Sequence, residues 1–359
     1  MSYTFSFTPD IVRSLQIIER VREKIRLTTM PPLLAEELRR QAHIRSTHYS
    51  TRIEGNRLTL KETEAVLRGE KRFIGRQRDV QEVERYYQAL QKVESWVSTG
   101  ESITEKRIRQ LHALLYYGKR AKATDWRDGQ NVIRTASGKI VYMPPEASDV
   151  PELMTELLAW INLSAEKLPV PVIAGVAHYQ FETIHPFYDG NGRSGRMLTT
   201  WILYRGGYDL GKFYALEEFY AKDLQGYYEA LVTHPHHNYY FGRNDADITS
   251  WLDYFLRGMA EVFEQVADEV SRHAAQKDHS PRIPDALLRQ LDVRERRVVG
   301  LFLRQNTIRS KDVAEVLGIS TRQARNLLGK WVEAGWLEVT NPSKKGRKYN
   351  LTEEYQELL

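Results

Sequence analysis

The stretch His185-Pro186-Phe187-Tyr188-Asp189-Gly190-Asn191-Gly192-Arg193-Ser194-Gly195-Arg196 concentrates groups that can do chemistry. His185 is the one side chain in it that can act as a base near neutral pH. Gly190 and Gly192 let backbone amides converge and approach a ligand closely. A helix predicted over 192–206 places its positive end at this turn, which makes an anion site. Arg193 and Arg196 add two guanidinium forks suited to phosphate oxygens. Asp189 is placed to hold Mg²⁺, which takes a carboxylate together with substrate phosphate oxygens. A plain turn beside a structural histidine is the competing interpretation, but base, anion cradle, cations and metal ligand together are the parts of a phosphoryl or nucleotidyl transfer site.

Helices must position these parts. Helical spacing is expected for Pro31 to about His48, Val80–Val97, 150–163, 171–184, 217–232 and 247–276. Thr59 and Glu62 form a capping box, and Ser102-Ile103-Thr104-Glu105 opens another helix with the same logic. The one good hairpin signal pairs Asn131–Arg134 with Lys139–Met143, stopped by Pro144 and Pro145. The polar, proline-bearing 276–284 segment reads as a linker. The fold class expected is mainly α, a helical core with a small β-hairpin, followed by a smaller C-terminal domain.

Composition agrees. The 359 residues, 28% charged and 42% hydrophobic, exclude a disordered chain and suit two or three domains. No cysteine is present, which removes disulfides, thiolate metal sites and cysteine nucleophiles. The start lacks a secretory pattern, and the most apolar run, Leu168–Ala177, is too short to span a bilayer. A soluble, cytoplasmic protein without membrane contact is the expectation. Residues 281–359 carry 15 basic and 10 acidic side chains, so the whole net charge of +5 lies there. Thr233-His234-Pro235-His236-His237 reads as a solvated loop because nothing fixes a ligand geometry, and His178 as a packed histidine.

The 185–196 segment matches the motif H-[PX]-F-x-[DE]-G-N-G-R-x-x-R at every specified position, and the chain thereby resembles the Fic family of protein adenylyltransferases. The resemblance implies transfer of AMP from ATP to a Ser, Thr or Tyr hydroxyl, with pyrophosphate leaving. It implies His185 as catalytic base, Asp189 as Mg²⁺ ligand, and ATP binding by Gly190, Asn191, Gly192, Arg193, Ser194, Gly195 and Arg196. Phe187 would anchor the loop, and the 131–143 hairpin corresponds to the family's flap, which aligns a target by strand addition. Tyr227 and Tyr228 resemble a tyrosine pair near the adenine, with core packing as the alternative. Domains are then expected at 1–105, 106–278 and 285–359.

Ser50-Thr51-Arg52-Ile53-Glu54-Gly55 fits the family's inhibitory pattern [ST]-x-x-x-E-[GN]. A carboxylate at a helix C-terminus opposes the helix dipole and calls for a partner, with Arg196 the natural one. The resemblance implies a class II protein, self-inhibited through Glu54. The C-terminal residues resemble a winged helix-turn-helix, with Arg322, Arg325 and Lys330 on its third helix, and Lys344, Lys345, Arg347 and Lys348 on its hairpin, as candidate DNA contacts. Partners implied are a hydroxyl-bearing protein, the chain itself, DNA and a second copy. Alternatives left open are a DNA-binding regulator whose core turns over little, and transfer of another phosphate-containing group or removal of AMP, since the motif reads diphosphate rather than base.

Overall fold

The computed structural model describes residues 3–69, 73–119, 121–134, 138, 140–275, 290–303, 305–341 and 346–356. The proposed linker at 276–284, the hairpin residues 135–137 and 139, and Lys344 and Lys345 lie outside them. The chain is mostly helical. Two compact units are distinguished, one of residues 1–27, 41–67 and 71–268, the other of 28–40, 68–70 and 269–359. Among the described residues no helix is long and apolar enough to cross a membrane.

The first unit is built on α1 (Pro9–Leu27), α2 (Pro32–Ile53, from Gln41 onward), α3 (Leu60–Leu67), α4 (Gln77–Ser98), α5 (Glu105–Tyr116), α6 (Val150–Ser164), α7 (Val170–Ile184) and α8 (Asn191–Arg205). Helix α2 runs five residues past the expected end, which carries Ser50 to its last turn. The two capping signals hold: the Glu62 carboxylate accepts from Thr59 N–H at 2.8 Å, and the Thr104 side chain accepts from Arg107 N–H.

Helix α7 is apolar on nearly every face and buried throughout, so it is the central rod of the unit. On α8, Leu198, Trp201 and Leu203 are buried, and Trp201 stacks on Trp96 of α4 at 4.8 Å. Helix α11 (Thr249–Ala275) approaches α7 where Gly175 leaves room. A Cβ at Gly175 would stand 2.9 Å from both Leu252 and Phe255, and Trp251 donates its indole N–H to the Gly175 carbonyl at 2.8 Å.

The single helix expected over 217–232 is a correction. Two short helices, α9 (Leu216–Lys222) and α10 (Leu224–Ala230), are separated at Asp223. Asp223 leaves helical geometry (φ −134°, ψ 74°) because its carboxylate caps the next helix, accepting from Gly226 N–H at 2.9 Å. The hairpin is antiparallel, β1 (Ile133–Arg134) with β2 (Ile140–Tyr142), in the register Ile133 to Tyr142.

In the second unit, α12 (Val293–Val299) continues into a 3₁₀ turn over Gly300–Leu303. Then follow α13 (Ser310–Leu317), α14 (Thr321–Glu333), the antiparallel strands β3 (Leu337–Asn341) and β4 (Lys348–Leu351), and the short α15 (Glu353–Gln356). Gly318 caps α13 with φ 65°, and Ser320 caps α14 in a box with Gln323. Val298, Val313, Leu328, Trp331, Trp336 and Leu351 close a separate core.

Gly175→Ala puts a methyl group into the α7–α11 contact and is expected to lower stability by about 1–3 kcal/mol. A urea midpoint equal to that of the parent would refute this close approach.

Candidate active site

Helix α7 ends on His185, which adopts the left-handed region (φ 51°, ψ 61°). For a non-glycine residue this costs on the order of 1 kcal/mol and persists only when the surroundings over-determine it. They do. Asn191 locks the loop from within: its Oδ1 accepts from Phe187 N–H at 2.9 Å and its amide donates to the Phe187 carbonyl at 2.7 Å. Phe187 is buried, stacked on the His112 ring at 3.7 Å. His112 is bonded through Nε2 to the Asp189 carbonyl at 2.8 Å. A carbonyl only accepts, so the proton is on Nε2 and Nδ1 accepts from the Thr124 hydroxyl, 2.9 Å away. Burial pushes His112 down to about 4, keeping it in this neutral form.

Nδ1 of His185 lies 3.3 Å from the Glu182 carbonyl, which assigns the proton to Nδ1 and leaves Nε2 with its lone pair. Burial, the largest influence, lowers His185 to about 4. The imidazole is therefore neutral and able to accept a proton at pH 7.

Gly190 opens α8 with φ 77°, its N–H bound to the Asp189 carboxylate at 2.6 Å. Ser194 N–H already bonds the Gly190 carbonyl at 3.1 Å, and among the described residues the amides of Asn191, Gly192 and Arg193 have no partner. These three are the open donors of the helix end. A carboxylate lies beside Gly192. A Cβ on Gly192 would sit 2.3 Å from Glu54 Oε1, and the same oxygen accepts from Arg196 Nη2 at 2.8 Å. Arg196 also donates to the Ser50 hydroxyl at 2.9 Å and the Ser50 carbonyl at 3.0 Å, so both ends of the Ser50–Glu54 pattern hold one guanidinium that is 2% exposed.

Several expected ATP contacts are placed differently. The Asn191 side chain is committed to the loop, so only its main-chain amide is open to a ligand. The Ser194 hydroxyl is buried. Gly195 faces inward, where a Cβ would stand 2.4 Å from Glu182 Oε1, so this glycine serves the approach of α7 to α8. Arg193 is buried, its guanidinium 4.0 Å from Glu82 and 6.0 Å from the Tyr116 ring centre, and its Nε has no partner. Tyr227 is buried and belongs to a directed chain. Thr199 donates to the Gly195 carbonyl at 2.9 Å, so it accepts from His178 Nδ1 at 2.9 Å, and His178 Nε2 accepts from the Tyr227 hydroxyl at 2.9 Å. Burial lowers His178 to about 3. Tyr228 is 46% exposed and is the member of the pair left for a ligand.

Glu182 was not a sequence candidate. Its Oε1 is buried without a partner, and burial, partly offset by Arg196, raises its carboxyl to about 8. His112 and Arg127 were missed too, because a single histidine or arginine on or beside an amphipathic helix carries no local signal. For a metal, Asp189 is exposed and supplies one carboxylate, and among the described residues no group of three His, Asp or Glu side chains is arranged to hold an ion. That donor set fits Mg²⁺ carried in with phosphate oxygens and water, not an ion held by protein alone.

Residues 102–203 match the Fic/DOC family. The chain is 30% identical over 172 residues to the protein adenylyltransferase Fic of Culex quinquefasciatus, covering 47% of this chain and 33% of that protein. It is 31% identical over 172 residues to that of Drosophila grimshawi, covering 47% and 35%. The chain thus spans about a third of the length of these curated relatives. The crystal structure of a Fic family protein from Desulfovibrio desulfuricans G20 superimposes with a TM-score of 0.59 at 27% identity, covering 98% of this chain and 99% of that one. Fic-1 of C. elegans shares the fold at 21% identity, with a TM-score of 0.57, covering 75% and 74%.

His112, His178 and His185, all lowered by burial, set a pH dependence. Each is neutral when folded and takes up its proton near 6.5 when unfolded, so the unfolded state gains protons first as pH falls. Stability from them is complete above pH 6.5 and is lost toward pH 4, at no more than about 1.4 kcal/mol per pH unit for each imidazole. Glu182, raised to about 8, has the opposite sign and offsets one of the three above 4.5. Urea midpoints are expected to fall between pH 6.5 and 4.5, and less steeply in His178→Gln. Equal slopes in the two proteins would remove His178 from this account.

Proposed function

We propose, from the match of residues 102–203 to the Fic/DOC family, that the chain transfers AMP from ATP to a hydroxyl side chain of a protein and restrains itself through Glu54. The observation that carries this reading is the Glu54 carboxylate packed beside Gly192 in the first turn of α8 while paired with Arg196. In this reading the carboxylate takes the guanidinium fork that a phosphate would need.

In this reading, Nε2 of His185 takes the proton of the target hydroxyl as its oxygen attacks the α-phosphorus, and the bond to pyrophosphate breaks. The amides of Asn191, Gly192 and Arg193 bind phosphate oxygens, and the Arg193 and Arg196 guanidiniums balance their charge. Asp189 would hold Mg²⁺, which supplies charge neutralisation on the leaving group. Tyr228 lines the base. With Glu54 in place the Arg196 fork is taken, and ATP is denied its productive pose.

Labelling with α-labelled ATP tests this. Glu54→Gly is expected to raise incorporation at least about tenfold, and His185→Ala in the same background to lower it by about 10²–10⁴. Equal labelling of wild type and Glu54→Gly would sink the restraint, and no labelling of either would sink the transfer.

For the second unit the layout supports a winged helix-turn-helix that binds DNA. Arg322, Arg325 and Lys330 are all exposed on α14, in the segment that carries the net basic charge. Arg322→Ala and Arg325→Ala are each expected to reduce the slope of log affinity against log salt by about 1 for a duplex. An absence of duplex binding even at low salt would overturn this second reading.

A further inference from the structure

Arg127 follows Trp126 in the segment between α5 and the hairpin, and its side chain is 2% exposed. Among the described residues its side chain donates only to main-chain carbonyls and to one side-chain amide. Nε donates to the His185 carbonyl at 2.9 Å, and Nη2 to the Ile184 carbonyl at 3.4 Å and to the Pro145 carbonyl. Nη1 donates to the Gly129 carbonyl at 3.1 Å and to Gln130 Oε1 at 3.3 Å. Its own N–H bonds the Pro186 carbonyl at 3.0 Å. Gln130 in turn donates to the Pro144 carbonyl at 3.0 Å.

One guanidinium therefore joins three pieces of chain: the residues entering the hairpin, the residues leaving it, and the turn that bears His185. Arginine cannot shed its proton, so a buried one is tolerable only where acceptors converge on all its edges. Here the acceptors are carbonyls, whose positions fix backbone. Moving the hairpin base moves carbonyls off the fork, and the fork also grips the carbonyl of His185. Other ties between hairpin and core bypass this fork, such as the Tyr142 hydroxyl on the Thr183 carbonyl at 2.8 Å.

We infer that Arg127 is a positioning residue that couples the hairpin to His185, so that a segment engaged on the hairpin and the base that acts on it are registered by the same buried cation. The inference rests on the AMP-transfer reading for its purpose, but the coupling itself is a property of the fold. Lysine offers donors at a single point and cannot span the three pieces.

Two measurements on the full chain test it, using Arg127→Lys and Arg127→Met with Tyr142→Phe as the control. In hydrogen exchange, the Arg127 variants are expected to speed the amides of 131–134, 140–143 and 185–190 together, by about tenfold or more, while Tyr142→Phe speeds the hairpin alone. Acceleration on only one side of Arg127, or none, overturns the coupling. In the Glu54→Gly background, self-labelling at saturating ATP is expected to fall about 10²-fold in the Arg127 variants, with the half-saturating ATP concentration unchanged within about twofold. A loss confined to ATP affinity would make Arg127 a nucleotide-site residue and also overturn it. If Glu54→Gly with Arg127 intact takes up no label, the transfer reading has failed, and exchange alone decides the coupling. Should Arg127→Met lose cooperative unfolding, Gln130→Ala, which removes one acceptor, is expected to give the same paired acceleration at smaller size.

Discussion

A guanidinium with 2% of its surface in contact with solvent cannot be left without acceptors, and Arg196 has three: the Ser50 hydroxyl, the Ser50 carbonyl and the Glu54 carboxylate. Breaking a buried pair by removing one partner leaves an uncompensated charge, which is far costlier than the pair is favourable. Arg196 therefore calls for an anion beside it. The last turn of α2 supplies it. The two Ser50 contacts hold the cation independently of the carboxylate.

The rest of the loop is held by groups other than Glu54. His185 stands in a conformation that it does not favour, and the groups that hold it there are independent of Glu54. Asn191 ties Phe187 from one side, His112 carries Phe187 and Asp189 from another, and Arg127 takes the carbonyls of 184–186. These are bonds of fixed direction. The tautomer of each histidine follows from what its neighbour is able to donate, and burial keeps each one neutral. The His185 imidazole is oriented by a main-chain carbonyl.

Glu182 is the exception to this satisfied network. Its Oε1 is buried and unpaired, beside His185 and close to the first turn of α8. Kept protonated by burial, it adds no second negative charge near Glu54, and the balance at Arg196 stays with one carboxylate.

Much of this was legible in the chain. The 185–196 spacing specifies a turn and a helix start because glycine and proline act locally, and the order of helices follows from apolar periodicity, which is also local. Ser50 and Glu54 are four residues apart on a helix, so they share a face whatever surrounds them. Other features were decided only by folding. Asn191 and Gly195 read as ligand contacts but point into the protein, since a polar or small residue next to a site looks the same in sequence whichever way it faces. Tyr227 and Tyr228 are adjacent, and helical geometry turns one into the core and leaves the other outside. The break at Asp223 depended on a side chain choosing to cap rather than to extend a helix. His112 and Arg127 meet the loop across gaps of 77 and 58 residues, and no pattern within one segment encodes a partner that distant. Sequence determined which groups could act; the packing of α2, α5 and α7 around α8 decided which of them face one another, because burial and hydrogen-bond direction exist only once those helices have met.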